Sequence, residues 1–171
     1  MKAISLWQPW ASLVAIGAKR VETRSWATNY RGPLAIHAAR TSQHLNDLHG
    51  NPHFHKVLAG GLSVFPLGDI VAVCDITDCV STALIERADR NRTPELDKSI
   101  SATLRFAGHS EAAIADALTA YDISDQERSF GDYAPGRYAW FLSNIRRIQP
   151  VRVTGRQGLF EVPDDLIEVL K

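Results

Sequence analysis

The sequence predicts an α+β fold: a small, mixed, barrel-like sheet closed by its first and last strands, with helices outside it and a helical insertion at about residues 81–132. Three observations carry this. Strand-like patterns gather at both ends of the chain, and an acidic helical stretch separates them. No regular alternation of strand and helix occurs, which argues against a doubly wound parallel sheet. A length of 171 residues suits one well-buried domain and is short for two, so residues 1–171 are read as a single domain.

The elements follow in order. Residues 2–7 alternate as a first strand, with Ala3, Ser5 and Trp7 on one face and Ile4 and Leu6 on the other. Pro9 opens a helix whose apolar residues Trp10, Leu13 and Val14 recur at helical spacing, and Gly17 should stop it. Residues 20–24 read as a second strand and 34–38 as a third, after turn chemistry at 29–33. Residues 41–60 look helical but irregular. A long strand rich in Val and Ile covers 68–80. The insertion has its best helix at 111–118. Strands return at 137–148 and 159–162, and Pro163-Asp164-Asp165 starts a terminal helix through Leu170. The first and late strands should be neighbours.

Apolar content of 45% and charged content of 22% are ordinary for a globular chain. No internal repeat occurs. Pro9 interrupts the apolar start, so neither a signal peptide nor a membrane span is expected, and a cytoplasmic location follows. Cys74 and Cys79 are five apart on one predicted strand, which sends them to opposite faces as free thiols. Net charge is zero but uneven. Residues 1–40 carry six Lys/Arg against one Glu, residues 41–136 seven against fourteen acids, and residues 137–171 six against four. A basic and an acidic face are unsuited to coating duplex DNA but leave room for a small basic nucleotide site.

Residues 19–24 contain Lys19, Arg20, Glu22, Thr23 and Arg24. Such a cluster is costly to bury, so it is solvated or organised around a polar ligand. Trp7, Trp10 and Trp26 lie close in sequence. Cations beside flat aromatic faces suit a ligand anionic at one end and flat at the other, the shape of a nucleotide. Gln8 offers both donor and acceptor to a base edge. These residues predict a nucleotide-sized cleft lined by Trp7, Gln8, Lys19, Glu22, Arg24 and Trp26, with Arg137 or Tyr138 brought near by the late strand. Amide hydrolysis there would need an activated water, a charge for the oxyanion and a proton for the leaving amine. Glu22 fits the base and Lys19 the oxyanion stabiliser or proton donor. The same residues also fit a plainer arrangement, in which Glu22 pairs with Arg20 and Arg24 while Lys19 is a solvated helix end.

Trp7-Gln8-Pro9-Trp10, the GxKxxExR run from Gly17 to Arg24, Ser25-Trp26, the strand at 34–38 and the late Gly136-Arg137-Tyr138-Ala139-Trp140 together resemble the ASCH domain, a branch of the PUA-like barrels. The resemblance touches both ends and skips the insertion. It implies a PUA-like barrel that binds RNA or modified nucleosides beside the first helix. Some members are thought only to bind. One bacterial member looks like a hydrolase of acetylcytidine that uses the motif's lysine with a threonine and a glutamate, and a ribonuclease activity has been proposed for a relative. Lys19 matches that lysine. Glu22 stands in the threonine's place, with Thr23 one residue on.

Other features carry less. Trp10 reads as core and Trp26 as the better stacking surface. His37, in an apolar strand, reads as a hydrogen-bonded core histidine. His44, His49, His53 and His55 lack the cysteine or carboxylate frame of a zinc site, so no metal and no cofactor are expected. No phosphate-loop, dinucleotide or serine-hydrolase pattern occurs. RNA or a modified nucleoside is the expected partner. A ribonuclease, a non-catalytic RNA-binding module and a protein-interaction module using the acidic insertion are the alternatives.

Overall fold

Lys2–Leu6 forms β1 and Trp10–Ala15 forms α1. The helix ends as predicted because Gly17 takes a left-handed φ of 74°, which a side chain would resist. The N–H groups of Ala18 and Lys19 then turn back to the carbonyl of Leu13. Val21–Arg24 is β2 and Gly32–Ala38 is β3. A 3-10 segment, Gln43–Gly50, and α2, Pro52–Leu58, make up the irregular helical stretch expected at 41–60. β4 spans Asp69–Ser81. Then come α3 (Thr82–Asn91), α4 (Pro94–Phe106), α5 (Asp125–Ser129), β5 (Tyr138–Arg152), β6 (Leu159–Glu161) and a 3-10 turn at Asp164–Leu166. This computed structural model describes residues 1–58, 65–108, 110–111, 119 and 121–166. Most of the helix expected at 111–118, residues 59–60 of the irregular stretch and the end of the terminal helix lie outside them.

The six strands form one mixed sheet in the order β2-β5-β4-β3-β1-β6. β1 and β3 run parallel, and every other pair is antiparallel. The last strand neighbours the first, since β1 pairs with β6. The late strand β5 does not, contrary to expectation: β3 and β4 lie between it and β1. The β1–β6 pairing lies within the sheet and does not close it: among the described residues β2 and β6 are its two edge strands, and the result is a half-barrel. β2 pairs with β5, which sets Glu22 opposite Trp140 and Arg24 opposite Tyr138.

Bulges in the β4–β5 ladder, one between Ile76 and Asp78, bend these long strands. They also correct one expectation. The extra residue resets the alternation, so half-buried Cys79 packs on the same apolar cluster as buried Cys74 instead of the opposite face. Both thiols are free.

Two clusters cover the sheet's faces. Ile4, Leu6, Leu34, Ile36 and Trp140 pack with Val14 of α1, and Ala3, Ala35, Ile70, Ile148 and Phe160 form the other core. A third joins Leu13 to Phe54, Leu58 and Phe130, drawing α2 and the end of the insertion against α1.

Candidate functional site

β2 is an edge strand, and its outer side is sealed by the insertion. The Glu127 carboxylate of α5 accepts from the N–H groups of Arg20 at 2.8 Å and Val21 at 3.1 Å. Ser124 caps α5 by accepting from the N–H of Glu127 itself. Farther along, Thr23 Oγ1 accepts from the N–H of Asp132 at 2.9 Å. The acidic segment is therefore one wall of the site. Burial pushes the Glu127 carboxyl above its usual range, opposed by the Lys19 ammonium and the two backbone donors.

Lys19 is turned inward and is 0% exposed. Its Nζ donates to the carbonyls of Val21 at 2.5 Å and Phe130 at 3.0 Å, with Glu22 Oε2 at 3.5 Å. The solvated helix end weighed from the sequence is thus corrected: three oxygens replace the water an ammonium would otherwise hold. Glu22 sits between two cations, with Arg24 Nε 3.1 Å from its Oε1. That approach is an ion pair without hydrogen-bond alignment. Arg24 Nη2 donates to the carbonyl of Ser5 at 2.7 Å.

Above this floor opens a cleft of about 950 Å³. Of the residues singled out from the sequence, Trp7, Glu22, Thr23, Arg24, Trp26 and Arg137 line it. Lys19 lies beneath it. Gln8 is fully buried, its Nε2 donating to the carbonyl of Pro66 and its Oε1 accepting from the N–H of Ser12, so it braces the start of α1. Tyr138, the register partner of Arg24 on β5, packs on the core and is outside the lining. Arg137 Nη2 donates to the carbonyl of Thr23 at 3.3 Å, and its Nε lies 3.3 Å from Asp132 Oδ2.

The aromatic walls differ. Trp7 is 51% exposed and stacks on His44, with ring centroids 4.1 Å apart. Trp26 stands edge-on to buried Trp140 and accepts that indole's N–H on its carbonyl. Trp10, expected as core, packs on Phe54 and also lines the cleft. His37 is buried and hydrogen-bonded through both ring nitrogens.

Sequence reasoning missed Asp132, Arg156, His44 and Glu127. Arg156 and Asp132 gave no local signal, because each reaches the cleft from a loop distant in sequence. His44 stood out only as part of a histidine run. Among the described residues, no group of three His, Cys, Asp or Glu is arranged to hold a metal, and no helix is long and apolar enough to cross a membrane.

The family model described as the ASCH domain matches residues 4–152. Activating signal cointegrator 1 from Mus musculus is 34% identical over 103 residues, covering 56% of this chain and 17% of that protein. The Homo sapiens protein of the same name is 37% identical over 82 residues, covering 46% and 14%. The matched part is thus under a fifth of either relative. The ASCH crystal structure from Zymomonas mobilis superposes with a TM-score of 0.48 at 16% identity, over 96% of this chain and 89% of that one. A single-residue mutant of it gives 0.47 at 14% identity, over 96% and 91%.

Proposed function

The chain belongs to the ASCH domain family, and on that premise we propose that its cleft binds RNA or a modified nucleoside. One observation carries the reading: Trp7 and Trp26 share a cavity of about 950 Å³ with Arg24, Arg137 and Arg156. Indole faces supply stacking for a base, worth about 1–3 kcal/mol each, and the arginines meet phosphate. Glu22 and Asp132 add acceptors for the amino and imino groups of a base. RNA binding is also the activity associated with the family. A cytoplasmic setting belongs to the same reading, resting on the two unbridged thiols.

Hydrolysis of an acylated cytidine amide is a second reading, favoured by the ionisable Glu22 at the cleft surface between two cations. Glu22 would take a proton from the water whose oxygen bonds to the acyl carbon, Arg24 would face the oxyanion, and Glu22 would return that proton to the amine as the C–N bond breaks and the carboxylic acid is released. Lys19 would hold Glu22 from below without meeting substrate.

Incubating the protein with acetylcytidine and with labelled single-stranded RNA, with and without chelator, separates these readings. Retention of intact RNA supports binding alone. A shift in the ultraviolet spectrum of acetylcytidine supports the hydrolase, and shortened RNA the ribonuclease. If RNA is neither retained nor altered and acetylcytidine is unchanged, the cleft reading fails, and a protein-assembly role of the kind named in "signal cointegrator" takes its place. Arg24→Ala should weaken RNA binding and flatten its salt dependence.

A further inference from the structure

The loop joining β5 to β6 brings Arg156, Gln157 and Gly158 to the rim of the cleft. Two polar side chains, one from β1 and one from β3, fasten it. Ser5 of β1 and His37 of β3 stand opposite each other in parallel register. His37 Nε2 lies 3.1 Å from the carbonyl of Val153, and Nδ1 lies 2.9 Å from Ser5 Oγ. Ser5 Oγ is in turn 3.2 Å from the carbonyl of Arg156. The Ser5 carbonyl accepts from Arg24 Nη2, so one small residue touches two of the cleft's arginines. Gly155 passes so close that a Cβ there would sit 2.3 Å from His37 Cε1 and 2.8 Å from Ser5 Oγ. Only glycine permits that approach.

We infer that Ser5 and His37 are positioning residues that fasten loop 153–158 and present Arg156 to a phosphate-bearing ligand, an inference that rests on reading the cleft as an RNA or nucleoside site.

Donor counting gives the clamp two strengths. The Val153 carbonyl can only accept, so Nε2 carries a proton. In neutral imidazole, Nδ1 must then accept the single hydroxyl proton of Ser5, leaving none for the Arg156 carbonyl. In imidazolium, Nδ1–H donates to Oγ and the hydroxyl proton turns to Arg156, closing the whole chain. The charged groups facing the ring are Asp69 of β4 and Arg152 of β5, themselves paired at 3.1 Å. Phe160 of β6 sets its ring edge-on to the imidazole. Burial holds His37 below the ordinary imidazole range. The tight form is therefore reached on acidification below that range.

The test compares the parent, Ser5→Ala, Arg156→Ala and the double variant. Affinity for a short labelled single-stranded RNA is measured across salt and from neutral pH to about pH 5. Tryptic cleavage after Arg156 in the ligand-free protein is the readout independent of RNA. Ser5→Ala should be cleaved there several-fold faster than the parent. Its affinity should fall about threefold and that of Arg156→Ala about fivefold, the latter with a salt slope shallower by about one. The double variant should bind no worse than Arg156→Ala. The parent should gain more affinity on acidification than Ser5→Ala, a comparison that cancels His44, which also lines the cleft. A Ser5→Ala protein matching the parent in cleavage and affinity overturns the inference, as do losses that multiply in the double variant. A parent that binds no RNA overturns the cleft reading itself, while the cleavage arm still decides whether Ser5 holds the loop.

Discussion

Lys19 and Arg137 both donate to backbone carbonyls in the walls of the cleft, one from beneath β2 and the other from the cleft's edge. Lys19 is wholly buried, and its ammonium is shared among Val21, Phe130 and Glu22. Arg137 keeps 29% of its side chain exposed, holds the carbonyl of Thr23 with one nitrogen and faces the cavity. The buried cation has exchanged its hydration for oxygens drawn from two distant segments, and it has no donor left to offer a ligand without giving one up. The partly exposed cation retains that freedom. A charge cluster that looks uniform in sequence is thus divided into a floor that fixes β2 and a rim available for recognition.

The largest expected effect lies in the floor. Lys19→Met keeps the aliphatic volume but removes the donor that three oxygens share. It should cost about 3 kcal/mol of stability, lowering the melting temperature by roughly 6–12 °C for a chain of this size. Denaturant unfolding measures it. Unaltered stability with abolished ligand binding would move Lys19 into the rim and break the comparison.

Glu127 tests the same floor with a pH signature. Glu127→Gln keeps one acceptor but turns an amide N–H₂ toward the second backbone donor, a cost of about 1–2 kcal/mol at neutral pH. Because burial raises the folded carboxyl above its unfolded value, the fold binds this proton more readily than the unfolded chain does. Its contribution is complete below the unfolded value, about pH 4.3, and is lost as pH rises through the folded one. The parent's advantage over Glu127→Gln should therefore widen on acidification from neutrality. A constant difference from pH 7 to about pH 4.5 would show that Glu127 is no more buried in effect than a surface carboxylate.

The rim and the floor were unequally legible in the sequence. The charged run after Gly17, the tryptophans around it and the late strand beside β2 follow from local pattern, and the structure brings Trp7, Glu22, Arg24, Trp26 and Arg137 to one cavity. The partner of the β2 edge could not be read, since Glu127 is 107 residues from Arg20 and is one of many acids in an acidic segment. Gln8 misled for a related reason. A side chain able to read a base edge is equally able to brace a helix start, and the carbonyl of Pro66 that decides between them is 58 residues away. Cys79 shows the limit of periodicity: one bulge reverses the face on which every later residue falls. His37 was visible as a polar residue in an apolar strand, but its meeting with Ser5 depends on the parallel register of β1 with β3.

The smallest expected effect on stability belongs to the rim, and it sharpens the comparison because its effect on binding should be larger. Arg137→Ala removes one hydrogen bond, 3.3 Å long, and a partly solvated approach to Asp132. Exposed pairs of this kind contribute roughly 0.5 kcal/mol, so the unfolding midpoint should scarcely move. Binding should respond differently. If Arg137 meets a phosphate, its loss weakens RNA affinity about fivefold, equally across sequences, and makes the salt slope shallower by about one. Arg137→Lys should restore part of the affinity and the full slope, because the charge returns while the planar fork does not. Equal loss of stability and affinity in Arg137→Ala, with the salt slope unchanged, would place Arg137 with Lys19 as a structural cation and leave the rim to Arg24 and Arg156.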